Sequence, residues 1–440
     1  MAEAPDRSVP DRHGNWGDIK AAYRFLNNPK VTPEGIQSTH RRQVRQLCSS
    51  HPVVLAVEDG SELDFTTHRS VKGLGFMGNG IGRGLLQHST LAVTPEGHLL
   101  GVLHQIWWKR VRKPKGEKQR QRLARAKESD LWADSIRAVG SVGSNTRLVH
   151  VTDRGGDCYE TMQAAYAAGQ GFLIRAQHDR YVNDSTEHLW GFMERQAVAG
   201  MRIVEVPARP AKRKRPAQPA RTARLAVRYA EIRVAPPRKD PRFKDPLPAW
   251  AVYVVELDPP AGVEPVEWML LTSERVEDVD QANTRVDWYT YRWLIEEWHM
   301  AEKTGCRLEA SQLKTAEALE RLAALTAVVA VRLIQLRELA QAATSPSVPD
   351  PKSLSDPPAA LRNLVPHDWI LVVSHLAQCR PDALTPRTFW LTLAHRGGFL
   401  GRKSDGLPGW RTIWKGWAEV MTLVQGIEIH RAILKETTCG

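Results

Sequence analysis

The sequence predicts an α/β fold in which a core of strands and helices carries a β-rich insertion and is followed by a small helical C-terminal domain. Two short β-branched apolar runs, Val53–Glu58 and Leu148–Thr152, predict buried strands, and a helical pattern over Cys158–Ala168 follows the second. Between residues 179 and 283 the pattern changes to strands with few helical signals, and beyond residue 360 it is helical again. A chain of 440 residues is long enough for two or three such domains.

Changes in composition set the predicted domain boundaries. A run of prolines from Pro346 to Pro358 predicts a linker between the core and the tail. In the tail, Trp410, Trp414 and Trp417 recur at helical spacing and predict an apolar stripe, either packed within the domain or presented to a partner. The predicted regions are 1–48, a core over 49–343 with its insertion at 179–283, a linker over 344–360 and a helical domain over 361–440.

The charge of the chain favours a polyanionic partner. The net charge is +12 and the pI is near 9.6, which fits nucleic acid but also fits a merely basic protein. The segment from Trp107 to Lys127 is very basic and predicts a loop that enters a helix near Ser129. Its charges have two interpretations, a solvated loop or an arm that contacts phosphates.

Several classes of protein are excluded by what the sequence contains. The five cysteines are scattered without CxxC or Cys/His spacing, which argues against structural zinc and against a disulfide framework. The first ten residues have no apolar core for a signal peptide, and the most apolar run, Leu322–Ile334, is too short to span a bilayer. The Gly-rich segment after Thr67 matches no P-loop, so no nucleotide cofactor is expected. We expect a cytoplasmic protein without a membrane partner.

The predicted core strands deliver two aspartates. The first strand, Val53–Glu58, is followed directly by Asp59, and the fourth, Leu148–Thr152, is followed by Asp153. An aspartate after a strand is often only a turn former or a helix cap. The helices predicted before this core are Asp18–Leu26 and Val31–Leu47, and the other predicted strands are Leu86–Val93, Leu99–Ile106, Gly171–Gln177, Met201–Val206, Leu225–Val234, Ala251–Leu257 and Trp268–Thr272.

A third acid lies on a predicted helix over Asp287–Leu313. Tyr289, Arg292, Glu296 and Lys303 are spaced so that, at roughly 100° per residue, they share one face of a straight helix. An ordinary i,i+4 surface pair between Arg292 and Glu296 is the simpler alternative. A carboxylate among cationic groups is the arrangement that metal-dependent phosphate chemistry requires.

The order of these elements predicts an RNase H-like, retroviral-integrase-like core. In such a core the first and fourth strands are adjacent and present aspartates at one edge, and a later helix brings the third acid. Asp59, Asp153 and Glu296 would then be the catalytic residues and the ligands of two Mg²⁺ ions, with Mn²⁺ able to substitute. No side-chain nucleophile is required, which agrees with the lack of any Ser/His/Asp or Cys/His arrangement.

The sequence resembles the insertion-sequence-four family of bacterial DDE transposases. The resemblance rests on the signature Tyr-x2-Arg-x3-Glu-x6-Lys from Tyr289 to Lys303, on AVEDGSELDFTTH around Asp59, and on VTDRGGDCYE around Asp153. AYRFLNNPKVTPEGI and LAHRGGFLGRKSDGLPGWRTIWKGW extend it toward both ends of the chain. At the second site this chain has Gly155 where the family usually has an acid.

The resemblance implies a DNA transposase that cuts double-stranded DNA at transposon ends and joins the 3′-ends to a target, through a hairpin intermediate. It implies that Tyr289, Arg292 and Lys303 contact DNA phosphates and that Arg175 lies near the DNA. Trp268 would stack on a flipped base, although a core tryptophan at a strand edge is the alternative. The C-terminal domain would support a homodimer on DNA, and the protein would be associated with the nucleoid.

Two rival functions remain open on the sequence. The same carboxylates would serve an RNase H-like nuclease that cleaves without strand transfer. The other rival is a truncated, non-catalytic partner that interferes with a full-length transposase, because residues 1–48 resemble only the end of the family's helical N-terminal DNA-binding subdomain. A misassigned start codon would explain the same feature.

Overall fold

The computed structural model describes residues 16–342, apart from residues 113, 184–186, 212–216 and 239, and residues 361–438, apart from residues 363 and 403–407. The predicted linker at 344–360 lies outside the described residues, as do the first fifteen residues. Contacts within the chain divide it into two compact units. The sheet unit comprises Arg42–Gly60 and Gln87–Ile295, and the helical unit comprises the chain up to Arg41, Ser61–Leu86 and the chain from Glu296 onward.

Strands and helices occur where the apolar patterns predict them, which confirms an α/β protein with a large mixed sheet and a helical C-terminal region. The strands are β1 (Val53–Asp64), β2 (Gly75–Phe76), β3 (Arg83–Val93), β4 (Leu99–Trp108), β5 (Arg147–Thr152), β6 (Gly171–Arg175), β7 (Tyr181–Val182), β8 (Glu187–His188), β9 (Gly200–Val206), β10 (Arg221–Val234), β11 (Leu247–Glu256) and β12 (Glu267–Thr272). The helices are α1 (Trp16–Asn27), α2 (Pro33–Cys48), α3 (Gln119–Ala124), α4 (Asp130–Val139), α5 (Tyr159–Ala167), α6 (Leu189–Glu194), α7 (Val279–Thr290), α8 (Trp293–Met300), α9 (Ala316–Ala342), α10 (His367–Leu376), α11 (Pro386–Arg396) and α12 (Trp410–Thr438). Among these helices, none combines the length and the apolar composition needed to cross a membrane.

The sheet unit is built on one mixed sheet. Its strands lie in the order β3-β1-β5-β6-β12-β11-β10-β7-β8, with β4 paired to β3 and β9 paired to β10. The pairs β1–β5 and β5–β6 are parallel, whereas β6–β12, β12–β11 and β11–β10 are antiparallel. The strands of the predicted insertion therefore continue the same sheet, because β12 pairs directly with β6.

The faces of the sheet are covered because its strands are apolar on both sides, as strands in parallel pairs usually are. In β1, residues from Val54 to Glu58 are all buried, and in β5 the same holds from Leu148 to Thr152. Helices α4 and α5 bury Ile136 and Met162 in a core cluster against strands β6, β10, β11 and β12. This packing makes β1 and β5 the fixed centre of the unit.

The helical unit is organised by α9. Arg321 on this helix is almost fully buried and donates hydrogen bonds to the carbonyl oxygens of Val31, at 2.6 Å, and Leu26, at 2.9 Å. Gln37 on α2 donates to the Ala324 carbonyl at 3.0 Å. The side chains of α9 therefore satisfy backbone groups at the turn between α1 and α2 and fix the N-terminal helices to it.

The C-terminal helices α11 and α12 cross at glycines. A Cβ on Gly416 would lie 1.7 Å from the carbonyl oxygen of Leu393, and a Cβ on Gly397 would lie 1.9 Å from that of Thr412. Beside this crossing, Trp410, Trp414 and Trp417 are all buried. The tryptophan stripe predicted from the sequence therefore packs within the domain.

The predicted straight helix over Asp287–Leu313 is wrong. Helix α7 ends at Thr290, α8 begins at Trp293, and a single π-helical segment, Ala301–Gly305, follows α8. The bonds from Arg292 N to Tyr289 O and from Ile295 N to Arg292 O span three residues instead of four, which marks the break between α7 and α8. The four signature residues therefore do not share the face of one helix.

The glycine crossing makes a prediction about stability. Gly416→Ala should destabilise the protein by about 1–3 kcal/mol, because the added methyl group forces α11 and α12 apart. Gly426→Ala on the same helix is the matched control: nothing lies within 4 Å of a Cβ there, and Ala should stabilise the helix by about 0.5–1 kcal/mol. Urea unfolding of the two variants measures both effects. A Gly416→Ala variant as stable as the wild type would contradict the close approach.

Candidate active site

Two aspartates lie side by side at the edge of the parallel part of the sheet. The last residues paired in the β1–β5 ladder are Glu58 and Thr152, and the next residues are Asp59 after Glu58 and Asp153 after Thr152. Because adjacent strands lie about 5 Å apart, the register of these parallel strands places the two residues next to each other. The prediction that β1 ends before Asp59 is wrong, because the strand continues to Asp64. Asp153 does follow the end of β5.

Each aspartate is oriented by a local hydrogen bond. Asp59 Oδ1 accepts from the backbone N–H of Gly60 at 2.7 Å, and Asp153 Oδ1 accepts from that of Gly155 at 2.7 Å. A Cβ on Gly155 would lie 3.0 Å from both Asp153 Oδ1 and the ring of Trp132 on α4. A side chain at this position would crowd the turn, which gives a physical reason for glycine here.

Arg292 joins Asp59 from the turn between α7 and α8. Its Nη1 lies 3.2 Å from Asp59 Oδ2, and the two side chains are only 16% and 13% exposed. The helix break between Thr290 and Trp293 makes Arg292 a turn residue instead of a helix-face residue. The positive charge of Arg292 compensates part of the negative charge of Asp59 and Asp153.

Tyr289, Arg175 and Trp268 form a second layer beside Arg292. Burial raises the pKa of the Tyr289 phenol, and the charges of Arg175 and Arg292 and a hydrogen bond with Arg175 offset this only in part. Arg175 also donates to the Glu267 carbonyl at 3.0 Å. The half-buried Trp268 meets the Tyr289 ring edge-on, at 5.2 Å between centroids. Roles of these three side chains toward DNA remain predictions.

Asp157, four residues after Asp153, has a structural role. Its buried carboxylate accepts from the backbone N–H groups of Gln177, at 2.7 Å, and His178, at 3.0 Å, and it pairs with Arg180. These contacts hold the chain that leaves β6 against the turn after Asp153. The oxygen atoms of Asp157 are therefore occupied by the protein.

Glu296 and Lys303 belong to the helical unit. On α8, a ligand atom of Glu296 lies within 4.8 Å of one from His299, three residues later. Lys303 Nζ donates to the carbonyl of Glu62 and lies 3.5 Å from the carboxylate of Glu309. Glu302 is fully buried and accepts from Thr326 at 3.1 Å. His299 was not predicted as a site residue. The Glu-x-x-His spacing from Glu296 to His299 on a helix is the sequence signal that points to it.

The donor set at the sheet edge fits a hard divalent cation. Asp59 and Asp153 offer carboxylate oxygen atoms, the ligands that Mg²⁺ prefers. Both side chains remain partly accessible at the end of a ladder whose preceding residues are buried. Strands β1 and β5 would position the ligands of a metal site at this edge. They are the first and fourth strands along the chain when the two-residue β2 is not counted.

A buried polar network lies directly behind Asp59 and was missed by the sequence analysis. Glu58 is fully buried; it accepts from His88 Nε2 at 3.1 Å and from His150 Nδ1. His150 Nε2 lies 2.5 Å from Gln170 Oε1, and Gln170 Nε2 donates to the Gly140 carbonyl at 2.8 Å. The network joins β1, β3 and β5 at the positions that precede the aspartates.

The hydrogen bonds of the network hold the His150 ring in place. Its Nε2 faces the Gln170 oxygen, because the amide nitrogen of Gln170 is bonded to the Gly140 carbonyl, and its Nδ1 faces Glu58. Burial alone would raise the pKa of Glu58, but the charges and hydrogen bonds of His150 and His88 outweigh it, so the pKa lies below its ordinary value. An apolar strand pattern gives no signal for such a network.

Two family models match the ends of the chain. A model described as "Transposase DNA-binding" matches residues 1–31, and one described as "Transposase Tn5 dimerisation domain" matches residues 385–437. The second match includes α11 and nearly all of α12, with the glycine crossing between them. Together the matches support a Tn5-like transposase, which confirms the transposase resemblance. Neither match covers the sheet edge or its aspartates.

The buried network makes a prediction that concerns stability. Glu58→Gln should lower the free energy of unfolding by about 3–5 kcal/mol, because it removes the buried carboxylate charge that bonds to His88 and His150. Glu187→Gln, which removes a half-exposed partner of Arg195, should cost less than about 1 kcal/mol. Urea unfolding followed by tryptophan fluorescence compares them. A Glu58→Gln variant within about 1 kcal/mol of the wild type would show that the buried network does not depend on the Glu58 charge.

Proposed function

We propose that this Tn5-like transposase chain has a metal-dependent, RNase H-like catalytic core that cleaves DNA at transposon ends and transfers the 3′-ends into target DNA. The observation that carries the proposal is the placement of Asp59 and Asp153 next to each other at the ends of the parallel β1–β5 ladder. Matches to transposase models at both ends of the same chain agree with it.

The strand order supports the RNase H-like assignment. With the two-residue β2 set aside, the first five strands lie in the order β4-β3-β1-β5-β6, with β1, β5 and β6 parallel. Strands β1 and β3 are neighbours in the sheet. Phe65 N, just after the end of β1, bonds to Arg83 O at the start of β3, so the two strands are antiparallel. Three antiparallel strands followed by two parallel ones bring two acids to one edge without any residue from the insertion.

Asp59, Asp153 and Glu296 would hold two Mg²⁺ ions in this proposal. When bound, such ions activate a water molecule or a 3′-hydroxyl group and stabilise the leaving oxygen at phosphorus. Asp59 and Asp153 contribute fixed carboxylates from the sheet, and Glu296 contributes the third from the first turn of α8. The half-buried Arg292 bonds to Asp59 and would hold a phosphate of the cleaved strand beside the carboxylates.

The remaining residues of the site orient DNA. The hydroxyl group of Tyr289 and the guanidinium group of Arg175 support each other and face the layer that contains Arg292, so they would bind phosphate oxygens near the cleaved end. Lys303 would do so from the helical unit. Trp268 remains half-exposed and offers an indole surface on which an extruded base would stack. A hairpin intermediate is part of the proposal by resemblance.

The C-terminal helices would assemble the active form. The region that matches a dimerisation model carries exposed apolar side chains on α12, and Ile429 and Ile433, one turn apart, are 61% and 53% exposed. Exposed aliphatic residues on one helix are typical of a surface that a partner covers. We propose that a second copy of the chain covers them, which gives a homodimer on DNA.

The acid residues make the prediction that tests the function. Asp59→Ala, Asp153→Ala and Glu296→Ala should each reduce nicking and joining of DNA that carries the element's terminal repeats by at least about 10²-fold in Mg²⁺, the cost of losing one group that stabilises a transition state. Products are resolved on denaturing gels. Glu297→Ala, which alters the neighbouring acid bonded to Arg337, is the control and should retain cleavage.

The outcomes separate the proposal from its rivals. Nicking without joined products would favour a nuclease that lacks strand transfer. Equal nicking by the wild type and the three acid variants would remove these residues from the mechanism. A wild-type protein that binds DNA but never cuts it, in Mg²⁺ or Mn²⁺, would favour a non-catalytic partner of another transposase.

The exposed isoleucines predict the oligomeric state. Ile429→Glu combined with Ile433→Glu should convert the homodimer to a monomer, because two charges would be buried in an apolar contact. Sedimentation velocity with and without DNA measures the change. Lys415→Glu places an acid at an exposed position fourteen residues before Ile429 on the same helix and should leave the dimer intact. A double variant that dimerises as the wild type does would place the contact elsewhere.

A further inference from the structure

The basic arm, defined as Trp107–Lys127, carries an unusual share of the charge. It contains ten Lys and Arg residues and one acid, Glu117, in a chain whose net charge is +12. The net charge of this segment is therefore +9. A solvated loop would tolerate these charges, but their mutual repulsion would be relieved by a polyanion.

Beyond the end of β4, the described part of the arm buries no residue and makes ion pairs. Helix α3 lies within it and buries no residue. Arg110 pairs with Glu128, and Arg125 pairs with Glu117 at 2.6 Å. Four other cations of the arm, Lys115, Lys118, Arg120 and Arg122, are exposed. Such a helix has no apolar face to bury, so its charged faces are available to a ligand.

The arm begins at the sheet edge that carries Asp59 and Asp153. Strand β3 is antiparallel to β1, and the Thr94–His98 turn, closed by the bond from Thr94 N to His98 O, makes β4 antiparallel to β3. Strand β4 therefore runs in the same direction as β1 and β5. Its C-terminal end, where the arm starts, lies at the same edge as the C-terminal ends of the ladder that presents the aspartates.

The arm also ends near this edge. Lys127 N donates to Asp130 Oδ2 at 2.7 Å, at the start of α4. Two residues further on, Trp132 packs against the turn at Gly155, next to Asp153. Both ends of the arm are thus anchored beside the candidate catalytic edge, within one compact unit.

We propose that the basic arm binds the phosphodiester backbone of duplex DNA next to the catalytic edge, independently of base sequence. Arg120 and Arg122 on α3 supply guanidinium groups that bind phosphate oxygens, which releases counterions from the DNA. This inference rests on the proposed function, but it concerns binding and requires no cleavage. DNA that passes Asp59 and Asp153 would be held on one side by the arm.

The test measures how DNA affinity depends on salt. Arg120→Ala combined with Arg122→Ala should lower the slope of log K against log[salt] by about 2, one for each phosphate contact that is lost. The full-length protein is titrated with fluorescent duplex DNA in EDTA, so that no chemistry occurs. One duplex carries the element's terminal repeat and the other an unrelated sequence. The matched control, Arg224→Ala with Arg233→Ala, removes two exposed arginines from β10 and should leave the slope unchanged.

The outcomes are distinct from those of the cleavage experiment. An equal fall in slope on both duplexes, restored by Arg120→Lys with Arg122→Lys, supports the proposal. A slope equal to that of the wild type, or a loss confined to one DNA sequence at constant slope, overturns it even if cleavage is normal. Thermal melting checks that the variants fold, which the exposure of α3 leads us to expect. Failure of the wild type to cleave DNA would count against the proposed function and not against the arm.

Discussion

The parallel pairing of β1 with β5 is the constraint on which the rest of the site depends. Both strands are buried along the stretch where they pair, and an aspartate follows this stretch at the same level on each chain segment. A slip of one residue would point the aspartates to opposite faces, because side chains alternate along a strand. The buried hydrogen bond between Glu58 and His150 opposes such a slip, since it joins β1 and β5 close to the aspartates. Burying the Glu58 carboxylate is costly, but its hydrogen bond to His150 also specifies the register of β1 against β5.

The site concentrates charge of both signs at one sheet edge. Asp59 and Asp153 would repel each other, and Arg292 reaches Asp59 from the turn between two helices. Behind this layer, Arg175 contacts the buried Tyr289, whose pKa is raised mainly by burial. The basic arm leaves the sheet at the same edge. Acidic groups suited to a divalent cation and basic groups suited to phosphate therefore lie in one compact unit, which is the combination that phosphoryl transfer on DNA requires.

The helical unit contributes a different kind of constraint. Its C-terminal helices approach until backbone meets backbone at Gly397 and Gly416, and aromatic rings fill the space beside the crossing. Close packing of this kind fixes α12 in one orientation. Apolar side chains near the end of α12 then remain exposed, in the region that matches a transposase dimerisation model. A rigid helix that presents aliphatic residues is a suitable surface for a second subunit.

The sequence by itself determined the α/β class, the strands and most of their bounds, the helical tail, and the candidate acids Asp59, Asp153 and Glu296. These follow from local signals, namely β-branched apolar runs, helical spacing and acids placed directly after strands. Tertiary structure decided what periodicity could not. The break at Arg292 replaces one helix with two, and Arg292 contacts Asp59, a residue more than two hundred positions away that no local helical pattern specifies. The roles of Glu58, His150 and Asp157 depend on partners from other strands, and no pattern within one segment specifies those partners.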